Sequence, residues 1–224
     1  MKNYDLAPLL AHCIEHPQLI ERMNVLEVFK RYRADGAWYF NNKERNFWMT
    51  FHCGGLHDFR ETFLCEVIGA DGNTMFDESR KFKPLIFENF YFYNDFVSNK
   101  RQRAFTGTMP WELSFAMRYR DLEKSFGAPN AKPKWDDKWC DIYHVQPYIL
   151  KITYELNDKR ERTKPERIES IFISLANIHL IEQLGLQASY PLFTEEEYAR
   201  QRKESLPRTK KTVPPPLRYA ALSE

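Results

Sequence analysis

The sequence lacks a long apolar run. No stretch approaches the roughly 18–20 apolar residues that a membrane-spanning helix needs, so no membrane association is expected. Its opening, MKNYDLAPLLAHCIEHP, has no extended apolar centre and no small-residue cleavage site. A secretory leader is therefore not expected, and the reading is cytoplasmic. Net charge is also scarce. Thirty-three Lys and Arg stand against 31 Asp and Glu, leaving +2 over 224 residues. That balance gives no global argument for a nucleic-acid partner. Cysteine is sparse: Cys13, Cys53, Cys65 and Cys140 lie far apart without metal-ligand spacing. They read as reduced, core-type residues, and neither a metal nor a cofactor is expected.

Aromatic residues are plentiful, at 15% of the chain. Tyr and Phe in such number suit sheets and binding surfaces. Hydrophobic residues at 43% and charged residues at 29% are ordinary for a globular protein.

The clearest local patterns lie between Gly107 and Leu175. Tyr119, Leu122 and Phe126 recur at helical spacing, and Gly127 follows where a helix end often needs positive φ. Polar loop residues from Asn130 to Lys138 come next. In YILKITYEL, Tyr148, Leu150, Ile152 and Tyr154 alternate with a wetter set, the mark of a strand with one buried face. RIESIFISL alternates less cleanly and suits burial on both faces. Asn157 to Glu166 reads as an exposed hairpin loop. The order is helix, then antiparallel meander, an α+β unit.

The N-terminal part shows the same order. Leu6 to His16 and Gln18 to Tyr32 read as two helices split at Pro17, the second ending near Asp35-Gly36. Strands are expected at Arg45 to Cys53, Thr62 to Ile68 and Leu85 to Tyr93. The predicted architecture is therefore α+β, in two related modules. Each has one or two helices packed on an antiparallel sheet of three or four strands. The modules span 1–103 and 104–192. LANIHLIEQLGL either continues the last strand or forms a short helix. From Phe193 a helix start, with Thr194 and Glu197 at capping-box spacing, leads into a basic, proline-rich tail over 193–224.

The central run, GTMPWELSFAMRYRDLEKSFGAP, resembles a pattern of bacterial α+β modules, G-x-L-P-x-x-L-x-F-x-M, a helix, then L-G-x-P. A Trp-containing strand, an apolar Tyr strand and a closing Arg-Ile strand follow it. The matching positions are Gly107, Pro110, Leu113, Phe115, Met117, Leu122, Phe126, Gly127, Pro129, Trp139, Tyr154, Arg167 and Ile168. Such modules occur in immunity-type proteins that neutralise toxins, and their plan is similar to the tandem modules of β-lactamase-inhibitor proteins. The match covers about a third of the chain. Where the family often has Ser at the helix N-cap, this chain has Arg118. The resemblance implies a non-enzymatic, cytoplasmic binding protein that inhibits a cognate protein toxin.

Several clusters were weighed as sites. KPKWDDKWCDIYH places Trp135, Asp136, Asp137, Asp141 and Tyr143 together. Rigid aromatics beside carboxylates make a candidate partner-binding face, and the plainer reading is a core Trp139 with a solvated turn. HCIEH, His12 to His16, fits H-x-x-E-H, the inverted zinc-protease motif. Pro17 follows at once, and no third ligand is identifiable. HCGGLHD, His52 to Asp58, gathers His52, Cys53, His57 and Asp58, which a Cys-His hydrolase would need within hydrogen-bond reach. The Gly pair makes a turn the simpler reading. An enzyme using either histidine cluster, or an adaptor docking through the tail, are the alternatives to the toxin inhibitor. The basic loop Asn99 to Arg103 reads as a solvated linker.

Overall fold

The computed structural model describes residues 6–28, 30–34, 36–42, 44–63, 65–75, 83–94, 104–135, 138–145, 147–156, 159, 166–183 and 185, with the side chains of Lys30, Lys134, Trp135 and Gln183 excepted. Two units divide the chain, Met1–Leu192 and Phe193–Glu224. The second, with the tail and its expected helix start, lies outside the described residues, as do Asn99 to Arg103.

Among the described residues, eight strands form an antiparallel sheet in the order β1-β2-β3-β4-β8-β7-β6-β5. They are β1 Lys30–Ala34, β2 Ala37–Asn42, β3 Phe47–His52, β4 Ile86–Tyr93, β5 Lys134–Trp135, β6 Lys138–Val145, β7 Tyr148–Tyr154 and β8 Ile168–Leu175. The helices are α1 Pro17–Val25, α2 Leu56–Phe63, α3 Tyr119–Phe126 and α4 Ile178–Gln183. The α+β class is as expected from the sequence. The strands of both halves lie in one continuous sheet, joined where β4 pairs with β8. Buried asparagines stitch that seam: Asn46 Nδ2 donates to the Asn94 carbonyl, and Asn94 Nδ2 to that of Ile168, each at 2.9 Å.

Each strand sends alternate residues to opposite faces. One face carries Phe47, Met49, Phe90, Phe92, Leu150, Ile152, Ile171 and Ile173, and α1, α2 and α3 close over it. Leu19 and Met23, Leu56, Phe59 and Phe63, and Leu122 belong to the same core. Fully burying side chains of this size contributes roughly 1.5–3 kcal/mol each. The helix α3 runs as its periodicity implies. Arg118 is its N-cap, and the Asp121 carboxylate reaches back to accept the Arg118 N–H at 2.8 Å, while Asp121 N donates to the Arg118 carbonyl at 2.9 Å. Gly127 ends it at φ 79°.

Three expectations are corrected. Residues 6–16 are not a helix. A single turn at Ala7–Leu9 is followed by bridges from His12 to Ile68 and from Cys13 to Ile86. The second helix stops at Val25, and Lys30–Ala34 is a strand. Gly36, at φ 76°, sits in a hairpin where Ala34 pairs with Ala37, rather than at a helix end. The strand expected from Thr62 overlaps α2, whose Leu56, Phe59 and Phe63 share one helical face. Of the two alternatives open for LANIHLIEQLGL, the short helix holds: Leu175 closes β8 and Ile178–Gln183 forms α4.

The two halves repeat one pairing scheme. Thr50 pairs with Asn89 and Phe51 with Phe87, so Glu88 is an extra residue in β4. Thr153 pairs with Ser170 and Tyr154 with Ile168, so Glu169 is an extra residue in β8. Bulges of this kind re-aim a side chain and sharpen the local twist. The flanking sequences also match in character, Phe-Glu-Asn-Phe-Tyr-Phe over 87–92 and Ile-Glu-Ser-Ile-Phe-Ile over 168–173.

Candidate functional site

Among the described residues, only part of the second face of the sheet is covered. Near one end, Ile142, Ile149 and Ala176 pack with Ile181 of α4. The rest is a cleft of about 410 Å³ lined by Tyr32, Tyr39, Trp48, Tyr91, Tyr93, Lys138, Cys140, Lys151, Thr153 and Ser170. The registers explain this gathering. Tyr32 lies opposite Tyr39, Trp48 opposite Tyr91, and Tyr93 opposite Ser170. Ser170 in turn faces Thr153, which faces Cys140.

The rings touch in pairs. Tyr32 stacks on Tyr39 at 5.1 Å and meets Trp48 edge-on at 5.8 Å. Tyr91 stacks on Tyr93 at 5.9 Å, and Tyr91 tilts against Phe172 at 4.5 Å. Lys151 Nζ lies 5.0 Å over the Phe172 ring. Lys138 bonds Glu169, the bulge residue of β8. Burial, then the Glu169 carboxylate and Tyr32, push the Tyr93 hydroxyl up to about 12. Burial and Tyr39 raise Tyr32 as well. Both phenols therefore stay protonated at neutral pH and can donate hydrogen bonds.

Matching the registers of the halves shows where they differ. Core-facing Phe47, Met49, Phe90 and Phe92 correspond to Leu150, Ile152, Ile171 and Ile173, apolar on both sides. On the open face, Tyr39, Trp48 and Tyr93 correspond to Cys140, Lys151 and Ser174. The cleft thus has an aromatic wall from β1–β4 and a lysine and hydroxyl wall from β6–β8.

Two of the five residues expected to form the acidic-aromatic face, Asp141 and Tyr143, lie in the core. Asp141 is 0% exposed and accepts the Tyr154 hydroxyl at 2.7 Å, while Tyr143 is 1% exposed against Phe126. Both point to the core because they pair with Ile152 and Leu150 of β7. Trp135 lies in β5, its side chain outside the described set, and Asp136 and Asp137 lie outside the described residues. Trp139, the alternative core residue, is 37% exposed.

The histidine clusters fare as follows. His12 and His16 do meet, ring to ring at 4.5 Å, but through a turn rather than on a helix. Among the described residues no third His, Cys, Asp or Glu joins them in ligating range. Burial and the neighbouring Glu15 push the Cys13 thiol between them up to about 12, so it is no thiolate. His52 and Asp58 converge over Gly54, where a Cβ would lie 2.6 Å from His52 Nε2 and 3.0 Å from Asp58 Oδ2. Cys53 turns away and donates its thiol to the Gly36 carbonyl at 2.6 Å. A carbonyl cannot act as the base a nucleophilic thiol requires. His57, Asp58 and Glu61 lie within metal-ligand range on the exposed side of α2. A His57–Glu61 i,i+4 pair and an aspartate at the positive helix end account for that grouping.

No family model, curated protein or solved structure matches the chain. Among the described residues no helix is long and apolar enough to cross a membrane.

Proposed function

We propose that the protein is a cytoplasmic immunity-type binding protein, which neutralises a cognate protein toxin by seating part of it on the open face of the sheet. The observation that carries this reading is the cleft itself: four tyrosines and a tryptophan gathered on one sheet face beside two lysines. Large rings with few rotatable bonds supply contact area at low entropic cost, and Tyr and Trp dominate binding energy at interfaces. The sequence resemblance around Gly107 to Pro129 points the same way. In this reading the chain comprises two related helix-plus-sheet modules. The paired bulges at Glu88 and Glu169 and the shared register support that kinship, and divergence on the open face gives the combined surface its two walls.

The test is functional neutralisation. The protein encoded beside this chain should be toxic when expressed alone, and co-expression with the chain should restore growth. The purified pair should form a stoichiometric complex in which the toxin's activity is lost. Failure of both rescue and complex formation at micromolar concentrations would overturn the proposal.

A further inference from the structure

We infer that the partner protein adds an extended acidic strand to the outer edge of the sheet at β1, pairing with its backbone and setting carboxylates opposite Arg31 and Arg33. The inference rests on the binding role proposed above and specifies the partner's chemistry. Three features carry it.

The first is the edge. Among the described residues β1 ends the sheet and pairs with β2 alone. A strand paired on one side turns alternate N–H and C=O groups outward, a template for a further strand. At the opposite edge β5 has two residues, too few for such a template, whereas β1 has five.

The second is charge. β1 reads Lys-Arg-Tyr-Arg-Ala, with three basic residues and no acidic one. Arg31 and Arg33 are exposed, and among the described residues neither has a carboxylate partner. Glu27, upstream, is bound to Arg45 at 3.0 Å, and Asp35 lies outside the described residues. The Arg31 guanidinium lies 5.5 Å over the Trp38 ring. Stacked in that way, a guanidinium keeps N–H groups at its rim to donate to a carboxylate. A second copy of β1 would bring like charges together, and basic residues are a usual guard against such edge-to-edge pairing. The same charges favour an acidic strand, because opposite charges directly across a strand pair attract.

The third is alternation. Arg31 and Arg33 share one face of the strand, and Tyr32 takes the other. Tyr32, 41% exposed, stacks on Tyr39 at the outer end of the aromatic wall. An added strand therefore meets two guanidinium groups on one face and a phenol ring on the other. Asp or Glu at alternate positions, with an apolar or aromatic residue between them, complements both.

The test uses the full chain and three short synthetic peptides. One alternates Glu and Val, one alternates Lys and Val, and the last is the Glu–Val peptide with its backbone nitrogens methylated. Binding is read from backbone amide NMR shifts and amide hydrogen exchange. The acidic peptide should shift the β1 amides with millimolar affinity and slow the exchange of outward N–H groups. It should bind about three- to tenfold tighter than the basic peptide. The methylated peptide has no N–H to pair and should not bind. Arg31→Glu with Arg33→Glu should reverse the preference, and Arg31→Gln with Arg33→Gln should abolish it while edge pairing persists. Equal binding of the acidic and basic peptides, undiminished binding of the methylated one, shifts mapping away from β1, or no binding of the acidic peptide would each overturn the inference. A concentration-dependent dimer in sedimentation would assign the edge to a second copy and overturn it too. Because the peptides need no partner, the outcome is separate from that of toxin neutralisation. Acid-selective edge pairing without any toxin complex would leave the chemistry of the edge standing and remove the immunity reading. A toxin complex of unchanged affinity in Arg31→Glu with Arg33→Glu would keep the immunity reading and overturn this inference.

Discussion

Asp141 lies in the core face of the sheet and accepts the Tyr154 hydroxyl at 2.7 Å. Removing a donor from a buried acceptor costs about 1–3 kcal/mol. Tyr154→Phe should lower stability by that amount in chemical denaturation, and a change under about 0.5 kcal/mol would show that the bond carries little. Leu122, fully buried, should cost about 2–5 kcal/mol on change to alanine. Phe126 is only partly buried, against Trp111 and Tyr143, so its alanine variant should lose less than a fully buried Phe. Leu122 was legible from helical spacing alone. Asp141 was not. In WCDIYH it reads as one of several surface acids, because Asp is seldom buried without a partner. That partner lies on the adjacent strand, and only the pairing of Asp141 with Ile152 brings it near.

At the scale of elements, the segment from Leu6 to His16 works as a strap. Ala11 N donates to the Phe87 carbonyl, Cys13 N to that of Ile68 and Ile14 N to that of Leu85, each at 2.8 Å. His12 sits in this strap, with its imidazole held below the ordinary value of 6.5 by burial, and lowered further by His16 while the Leu10 carbonyl opposes. A histidine whose folded pKa is depressed binds fewer protons folded than unfolded. Its contribution is full above 6.5 and is lost as pH falls from there through the folded value. Burial depresses His144 in the same direction. The melting temperature should therefore fall as pH drops below 6.5, and His12→Gln should flatten that fall. Identical slopes for the two chains would contradict a role for His12. The strand β7 was legible from its alternation, and β3, β4 and β8 from short runs rich in β-branched and aromatic residues. The hairpin β1–β2 was hidden because KRYRA is short and basic, and Asp35-Gly36 serves a helix stop and a hairpin equally well. The helix α2 was misread although Leu56, Phe59 and Phe63 keep helical spacing, because Gly54-Gly55 and the histidines suggest a loop.

For the whole molecule, the decisive fact is that the two faces of the sheet are treated differently. One is closed by α1, α2 and α3, and the other leaves a cleft of aromatic rings and lysines. The aromatic richness of the chain was visible in its composition. The gathering of tyrosines and a tryptophan on the second face, with phenylalanines filling the core face, was not, since Tyr32, Trp48, Tyr91 and Lys151 meet only through the pairing of β4 with β8 and the strand order on either side. In Trp135 to Tyr143 the aromatics and acids are close in sequence, while strand alternation turns Asp141 and Tyr143 to the buried face. The central claim is that the open face binds the partner. It is tested most directly by calorimetry of the neighbour-encoded toxin against three chains: the unaltered protein, Trp48→Ala with Tyr91→Ala, and Trp135→Ala with Asp137→Ala, all with unchanged circular dichroism. Interface hot spots are worth about 2 kcal/mol or more each. The open-face variant should lose more than about tenfold in affinity while the β5-side variant stays within about threefold. Unchanged affinity in the open-face variant, with the loss falling on Trp135 and Asp137 instead, would contradict the account.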